Sequence, residues 1–171
     1  YLVAGSMIVA FPLGVMAGIY IHEYTLDSFF KRFIKLMTNN LAGIPSIVFG
    51  LFGMALFVNT MKFGDSIIAG SLTLGLLALP VVIRVTEEAL IAIDDSFRHG
   101  SYALGATKLQ TVRKVILPMA MPNIITGLIL SIGRVSGETA PILFTVAAYF
   151  LPKLPTSLFD QVMALPYHLY V

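Results

Sequence analysis

Cysteine is absent from the 171-residue chain, and charge is scarce. Without cysteine there is no disulfide framework and no thiolate metal site, although that absence says little about compartment. Asp, Glu, Lys and Arg make up only 12% of the residues against 57% hydrophobic, with a mean hydropathy of +0.88. A soluble domain is usually about a quarter charged. Too little polar surface is left here to cover a globule, so lipid must cover much of it. The net charge of +2 leaves no basic face of the kind that nucleic acid requires. No Gly-x-x-x-x-Gly-Lys-Ser/Thr run occurs, so the chain carries no P-loop for nucleotide phosphates. His22, His99 and His168 have no metal-ligand spacing, and neither a metal nor a cofactor is expected. No cleavable signal peptide is visible, yet the chain starts with Tyr1 inside an apolar run, which suggests a piece of a longer protein.

What the chain does have is long apolar stretches. A spanning helix needs roughly 20 apolar residues. Leu2–Ile21, Leu41–Asn59 and the slightly short Ile67–Ile83 meet that need, and a fourth stretch runs from Met119 to Leu151. At 1.5 Å per residue the fourth would be about 50 Å long, too much for one straight crossing, so a break is expected around Gly137–Pro141. Pro12, Pro45, Pro80 and Pro122 sit within these stretches. Membrane helices tolerate interior proline because neighbours satisfy the freed carbonyls. The fold class expected is therefore all-α, a polytopic membrane helix bundle with a cytoplasmic loop. Lys and Arg cluster in the connections His22–Asn40 and Arg84–Pro118, while the intervening connection and the tail hold only Lys62 and Lys153. The positive-inside rule puts the two basic connections in the cytoplasm of a cell membrane, inner or plasma.

Within the first basic connection, "LDSFFKRFIKLM" places Phe29, Phe30, Phe33, Ile34 and Met37 at helical spacing, opposite Lys31, Arg32 and Lys35. That pattern predicts a helix lying at the cytoplasmic interface. The second basic connection is more carefully punctuated. Ser96 can cap a short helix, Gly105 suits the left-handed residue that ends it, and Thr107–Gln110 forms a Thr-x-x-Gln capping box opening a second helix up to Pro118. Two short helices meeting at a glycine make a compact knob, more than a linker needs, and its expected use is docking.

The stretch "SYALGATKLQTVRKVILP" resembles the cytoplasmic Glu-Ala-Ala loop of binding-protein-dependent ABC importer permeases. From Gly105 to the Leu117-Pro118 pair the match is good. His99, Gly100 and Ser101 stand where that family has Glu-Ala-Ala. "GIPSIVFGLFG", "GRVSGETAPILFT", "AGIYIHEY", "RVTEEAL" and "MALPYHLY" are similar to the phosphate permeases of that family, so the resemblance covers essentially the whole chain. It implies a type I importer permease of which residues 1–171 would be one domain lacking the first and last of six spans, with 84–118 as the Glu-Ala-Ala-like loop. It implies ATPase coupling through Tyr102, Ala103, Leu104, Gly105, Leu117 and Pro118. It also implies partners: a sister permease, two ATP-binding subunits and an extracytoplasmic phosphate-binding protein, besides membrane lipid.

Arg134 and Glu138 are the sharpest charges in an apolar stretch, where charge is costly and usually faces a partner or an aqueous path. Counted from Pro118, Arg134 lies about 24 Å in. An i,i+4 ion pair holding helices together is one reading; the other is a phosphate site, because a guanidinium offers paired donors to phosphate oxygens. Gly133 and Gly137 would let another helix approach closely. Arg84, Glu87 and Glu88, where the third span meets the cytoplasm, either snorkel and pair with one another or gate the mouth. Arg134, Glu138, Arg84 and Glu87 are thus the candidate substrate pathway. Two other classes compete: an intramembrane enzyme, for which Ser136-Gly137 lacks a base in a span, and a channel or scaffold without ATP coupling, against which the knob counts. Permeation of another oxyanion stays open on the residues alone.

Overall fold

The structure is a computed structural model that describes residues 1–26, 28–148 and 155–165. Asp27, the end of the fourth apolar stretch at 149–151, Lys153, and His168 with the rest of 166–171 lie outside the described residues. The described residues form, in order, α1 (Leu2–Ile19), α2 (Phe29–Ala42), α3 (Ser46–Gly53), α4 (Ile67–Ile91), α5 (Asp95–Ala103), α6 (Lys108–Thr111), α7 (Leu117–Ser136) and α8 (Ala140–Thr145). Wider π turns extend α1 through Tyr20–Tyr24, α3 through Met54–Thr60, and join α6 to α7 through Val112–Ile116. Three of the resulting rods are long and apolar enough to cross a membrane: Leu2–Tyr24, Ile67–Ile91 and Lys108–Ser136. The bent pair α2 and α3 would make a fourth.

Helix α4 is the centre. Small residues let α1 lie against it at close range: a Cβ on Gly5 would meet Ser71, one on Gly14 would meet Val82, and one on Gly18 would meet Thr86. These meeting points advance together along both helices, so α1 and α4 run parallel. Helix α7 runs the other way. Ile116, Ala120 and Ile124 share a buried cluster with Ala89 and Leu90, while Val135 joins Leu2, Ile67, Leu74 and Ala78 in a second cluster. The bundle therefore has a knob end, where α4 hands over to α5, and a far end. At the far end Ser66, Ile67 and Ile68 donate their backbone N–H groups to the carbonyls of Thr145, Asp160 and Leu158 at 3.0, 3.0 and 3.1 Å. Those donors would otherwise be orphans of the first turn of α4. The Asp160 carboxylate in turn accepts from the N–H groups of Thr156 and Ser157, both at 2.8 Å. These backbone bonds, that of Ser157 foremost, hold its carboxyl below its ordinary value.

Three boundaries differ from the sequence reading. The second span does not run unbroken from Leu41: α2 ends at Ala42, Pro45 stands just before α3, and the two helices meet at 96°. The residue before a proline is disfavoured in the helical region, which puts the break at Ile44. The third helix continues past Ile83 to Ile91, so Arg84, Glu87 and Glu88 lie on α4 and not in a loop. The fourth starts at Lys108, eleven residues ahead of Met119, and passes through both Pro118 and Pro122. At Pro118 the bonding changes from π to α, with Leu117 N–H reaching back to Val112, and the proline falls at the start of the α-helical run, where a missing donor costs least. The expected break after α7 is present: Gly137 ends it and α8 begins at Ala140.

Candidate functional site

The projecting piece at the knob end is Ala92–Thr107 with α6. Helix α5 is capped by Asp94, not by Ser96; an Asp94 oxygen accepts from the Ser96 N–H at 2.7 Å. Ser96 lies inside the first turn, where an acceptor two residues earlier meets the orphan donor. That interaction holds the Asp94 carboxyl below its ordinary value. Gly105 has φ +78°, and a Cβ there would meet nothing within 4 Å, so its constraint is backbone conformation alone. The capping box is complete: Thr107 N–H donates to Gln110 Oε1 at 2.9 Å, and Gln110 N–H donates to Thr107 Oγ1 at 3.4 Å. Ser101 and Thr111 hydroxyls meet at 2.8 Å and close the two arms.

Of the expected coupling residues, Tyr102, Ala103, Leu104 and Gly105 form one exposed run, with Leu104 90% exposed. Phe97 and Leu109 are also exposed beside it in the sequence of the knob. Leu117 belongs elsewhere: it packs against the buried cluster of Ala89, Leu90 and Ile116. Pro118 is exposed on the long rod.

The four pathway residues separate into two groups. Arg134 lies in the last turn of α7, and its Nε stands 3.8 Å from Glu138 Oε1, with the guanidinium side 43% exposed and the carboxylate side 17%. That is an ion pair and not a hydrogen bond. A cation in a last turn also favours the helix dipole. Arg84 and Glu88 pair at 2.9 Å on the exposed flank of α4. Glu87 does not join them; Lys35 of α2 approaches its Oε1 at 3.4 Å, an oxygen that is buried without a hydrogen bond. Arg84 is seventeen residues on from Ile67, about 25 Å along α4, so the two groups stand well apart. A Cβ on Gly133 would meet nothing, and one on Gly137 only the carbonyls of its own turn. Among the described residues no helix of this chain uses the close approach those glycines allow. Ser136 gives its hydroxyl to the Ile132 carbonyl at 2.7 Å, an ordinary helix bond.

Sequence reasoning missed the most completely bonded group among the described residues. The Arg98 guanidinium on α5 donates through Nε and Nη2 to Glu23 Oε1 at 3.3 and 2.8 Å, through Nη1 to Asp95 at 2.9 Å and the Ile93 carbonyl at 3.0 Å, and through Nη2 to the Leu90 carbonyl at 3.1 Å. Burial alone would lower the Arg98 pKa; the hydrogen bond and charge of Glu23, then of Asp95, outweigh it and hold the pKa above its ordinary value. His22 Nδ1 stands 3.2 Å from the same Glu23 oxygen. The only signal in the sequence was an acidic residue at the end of the first apolar run, 75 positions from its partner.

Parallel and antiparallel apolar rods bearing one capped, exposed knob make a polytopic membrane helix bundle. The family model of the binding-protein-dependent transport system inner membrane component matches residues 10–160. The chain belongs to that family, and it is a multi-pass inner-membrane protein. It is 44% identical over 159 residues to the phosphate transport system permease protein PstA of Mycobacterium leprae, covering 93% of this chain and 51% of that protein. The probable ABC transporter permease protein YqgI of Bacillus subtilis is 42% identical over 154 residues, covering 90% and 52%. The chain thus spans about half the length of the curated relatives it matches. Among solved structures, a chain of the inward-facing MetNI methionine ABC transporter superposes with TM-score 0.65 at 23% identity, covering 78% of this chain and 62% of that one. At that identity the likeness speaks for the fold alone.

Proposed function

We propose that this chain is the core of a permease subunit of an ATP-driven phosphate importer, forming half of a pore and coupled to a separate ATPase. The observation that carries the reading is the knob: an exposed apolar turn, Tyr102–Gly105, held by two caps at one end of a membrane bundle. Lipid has no use for such a turn, and a docked protein does. Relatives named as phosphate permeases supply the substrate, and Arg134 beside Glu138 at the far end of α7 supplies a guanidinium for it. The open face around Gly133, with Ile129 and Leu130 exposed, suits a sister permease. A phosphate-binding protein would deliver to the far end, and the knob end would lie in the cytoplasm.

A channel or scaffold without ATP coupling is separated by copurification of the full-length protein with its ATPase. Capture of the ATPase is expected. Gly105→Val should weaken that capture and ATPase stimulation by roughly five- to thirtyfold while leaving membrane insertion intact, because a β-branched residue at φ +78° is strained by about 1–2 kcal/mol. Wild-type capture by the variant, or none by the parent, would contradict the docking role.

A further inference from the structure

Glu23 and Tyr24 close the knob end of α1, and each touches a different arm of the knob. Glu23 holds Arg98 of α5, with the two side chains 5% and 11% exposed. Tyr24 stacks on Tyr20 and carries the Lys108 ammonium 5.3 Å from its ring centre, at the start of α6. We infer that α1 is a direct receiver of the knob's motion: Glu23 is a positioning residue through which a load on α5 passes into the first rod, besides the route along the chain into α4 and α7.

The geometry supports this in two ways. First, the guanidinium uses all five of its N–H donors, on Glu23 at the end of the first rod, on Asp95 of α5, on the Leu90 carbonyl of α4 and on the Ile93 carbonyl just past it, so α5 cannot rotate or withdraw without leaving a buried charge unpaired. Second, the receiver is closely packed. Helix α1 lies against α4 through Gly5, Gly14 and Gly18 with no room for a further methyl group, so a displacement at Tyr24 is shared between α1 and α4 along their common seam toward the far end. The far end of α1 is joined there to the same buried cluster as Val135, next to Arg134. A load taken at Glu23 therefore arrives close to the candidate phosphate residue.

This inference rests on the permease reading, and its test is chosen to separate the two. The full-length protein, assembled with its sister permease, ATPase and binding protein, is assayed in vesicles for phosphate moved per ATP hydrolysed. That ratio is insensitive to the number of complexes formed. Glu23→Gln keeps the shape and an acceptor oxygen, and Arg98→Lys keeps the charge but not five fixed donors. The ratio should fall several-fold in both variants, with the half-saturating phosphate concentration unchanged. Glu23→Ala should fall further. An unchanged ratio in assembled Glu23→Gln and Arg98→Lys complexes, or a fall in uptake and hydrolysis in step, would overturn the inference and leave the permease reading intact. Absence of ATP-driven phosphate uptake by the unaltered protein would overturn both.

Discussion

Arg134 decides whether the far end of α7 meets phosphate or merely holds a structural pair. The 3.8 Å separation from Glu138 is too long for the two to be locked together, and nearly half of the Arg134 side chain is exposed. Its donors are thus available to a ligand. Arg134→Lys preserves the charge but removes the planar fork. A charge-assisted hydrogen bond from that fork to phosphate is worth about 1.5–3 kcal/mol, so uptake should fall by about tenfold or more while assembly survives. In a purely structural pair lysine would substitute, and Arg134→Gln combined with Glu138→Gln would be nearly silent, because removing both partners costs less than removing one. Near-normal uptake by that double variant, in assembled complexes, would therefore remove Arg134 from the pathway. Arg134 is conspicuous in the sequence as an isolated charge; its place in the final turn follows from where α7 ends, at Ser136, a boundary that the unbroken apolar run does not mark.

At the scale of elements, the glycines between α1 and α4 set the bundle's spacing. A Cβ on Gly18 would already stand 2.7 Å from Thr86 Cβ and 3.0 Å from the Ile83 carbonyl. Gly18→Leu should destabilise the purified protein by about 1–3 kcal/mol through overpacking, read as a lower unfolding temperature in detergent. An unchanged midpoint would show that the helices do not touch there. The caps make a second prediction. The Asp94 carboxyl, held below its ordinary value by Ser96, contributes to the stability of α5 at every pH above the unfolded-state value. The contribution is lost only as pH falls through the depressed folded value. Amide protection in the first turn of α5 should be flat from neutral pH down to the ordinary aspartate range and drop below it; a drop already near pH 6 would assign the cap to another group. Gly105 and the Thr107–Gln110 box were legible because turn chemistry is local, and the break at Gly137 followed from length. The bend at Pro45, the extension of α4 to Ile91 and the Glu23–Arg98 pair were not. The last two depend on how far tertiary packing carries a helix, or on a partner far away in sequence, and neither leaves a periodic mark; the bend follows from the local restriction before Pro45, which a stretch read by hydropathy alone passes over.

The molecule as a whole joins two ends with different chemistry. At one, a capped knob presents an apolar turn, and its arms are gripped by α1 through Glu23 and Tyr24. At the other, the first N–H groups of α4 are closed by the carbonyls of Thr145, Leu158 and Asp160, so that helix terminus is not an open anion site. Arg134 stands there as a half-exposed cation on α7. Three rods packed through small residues connect the ends. Under the proposed permease reading, such an object would exchange a push at the knob for a change around Arg134 at the far end. The measurement that tests this most directly is uptake by the full-length protein reconstituted with its partners, with phosphate, sulfate and molybdate offered in parallel. ATP-driven accumulation of phosphate well above the other two oxyanions is the predicted result. Accumulation that favours sulfate or molybdate, or phosphate movement that proceeds equally without ATP, would contradict it.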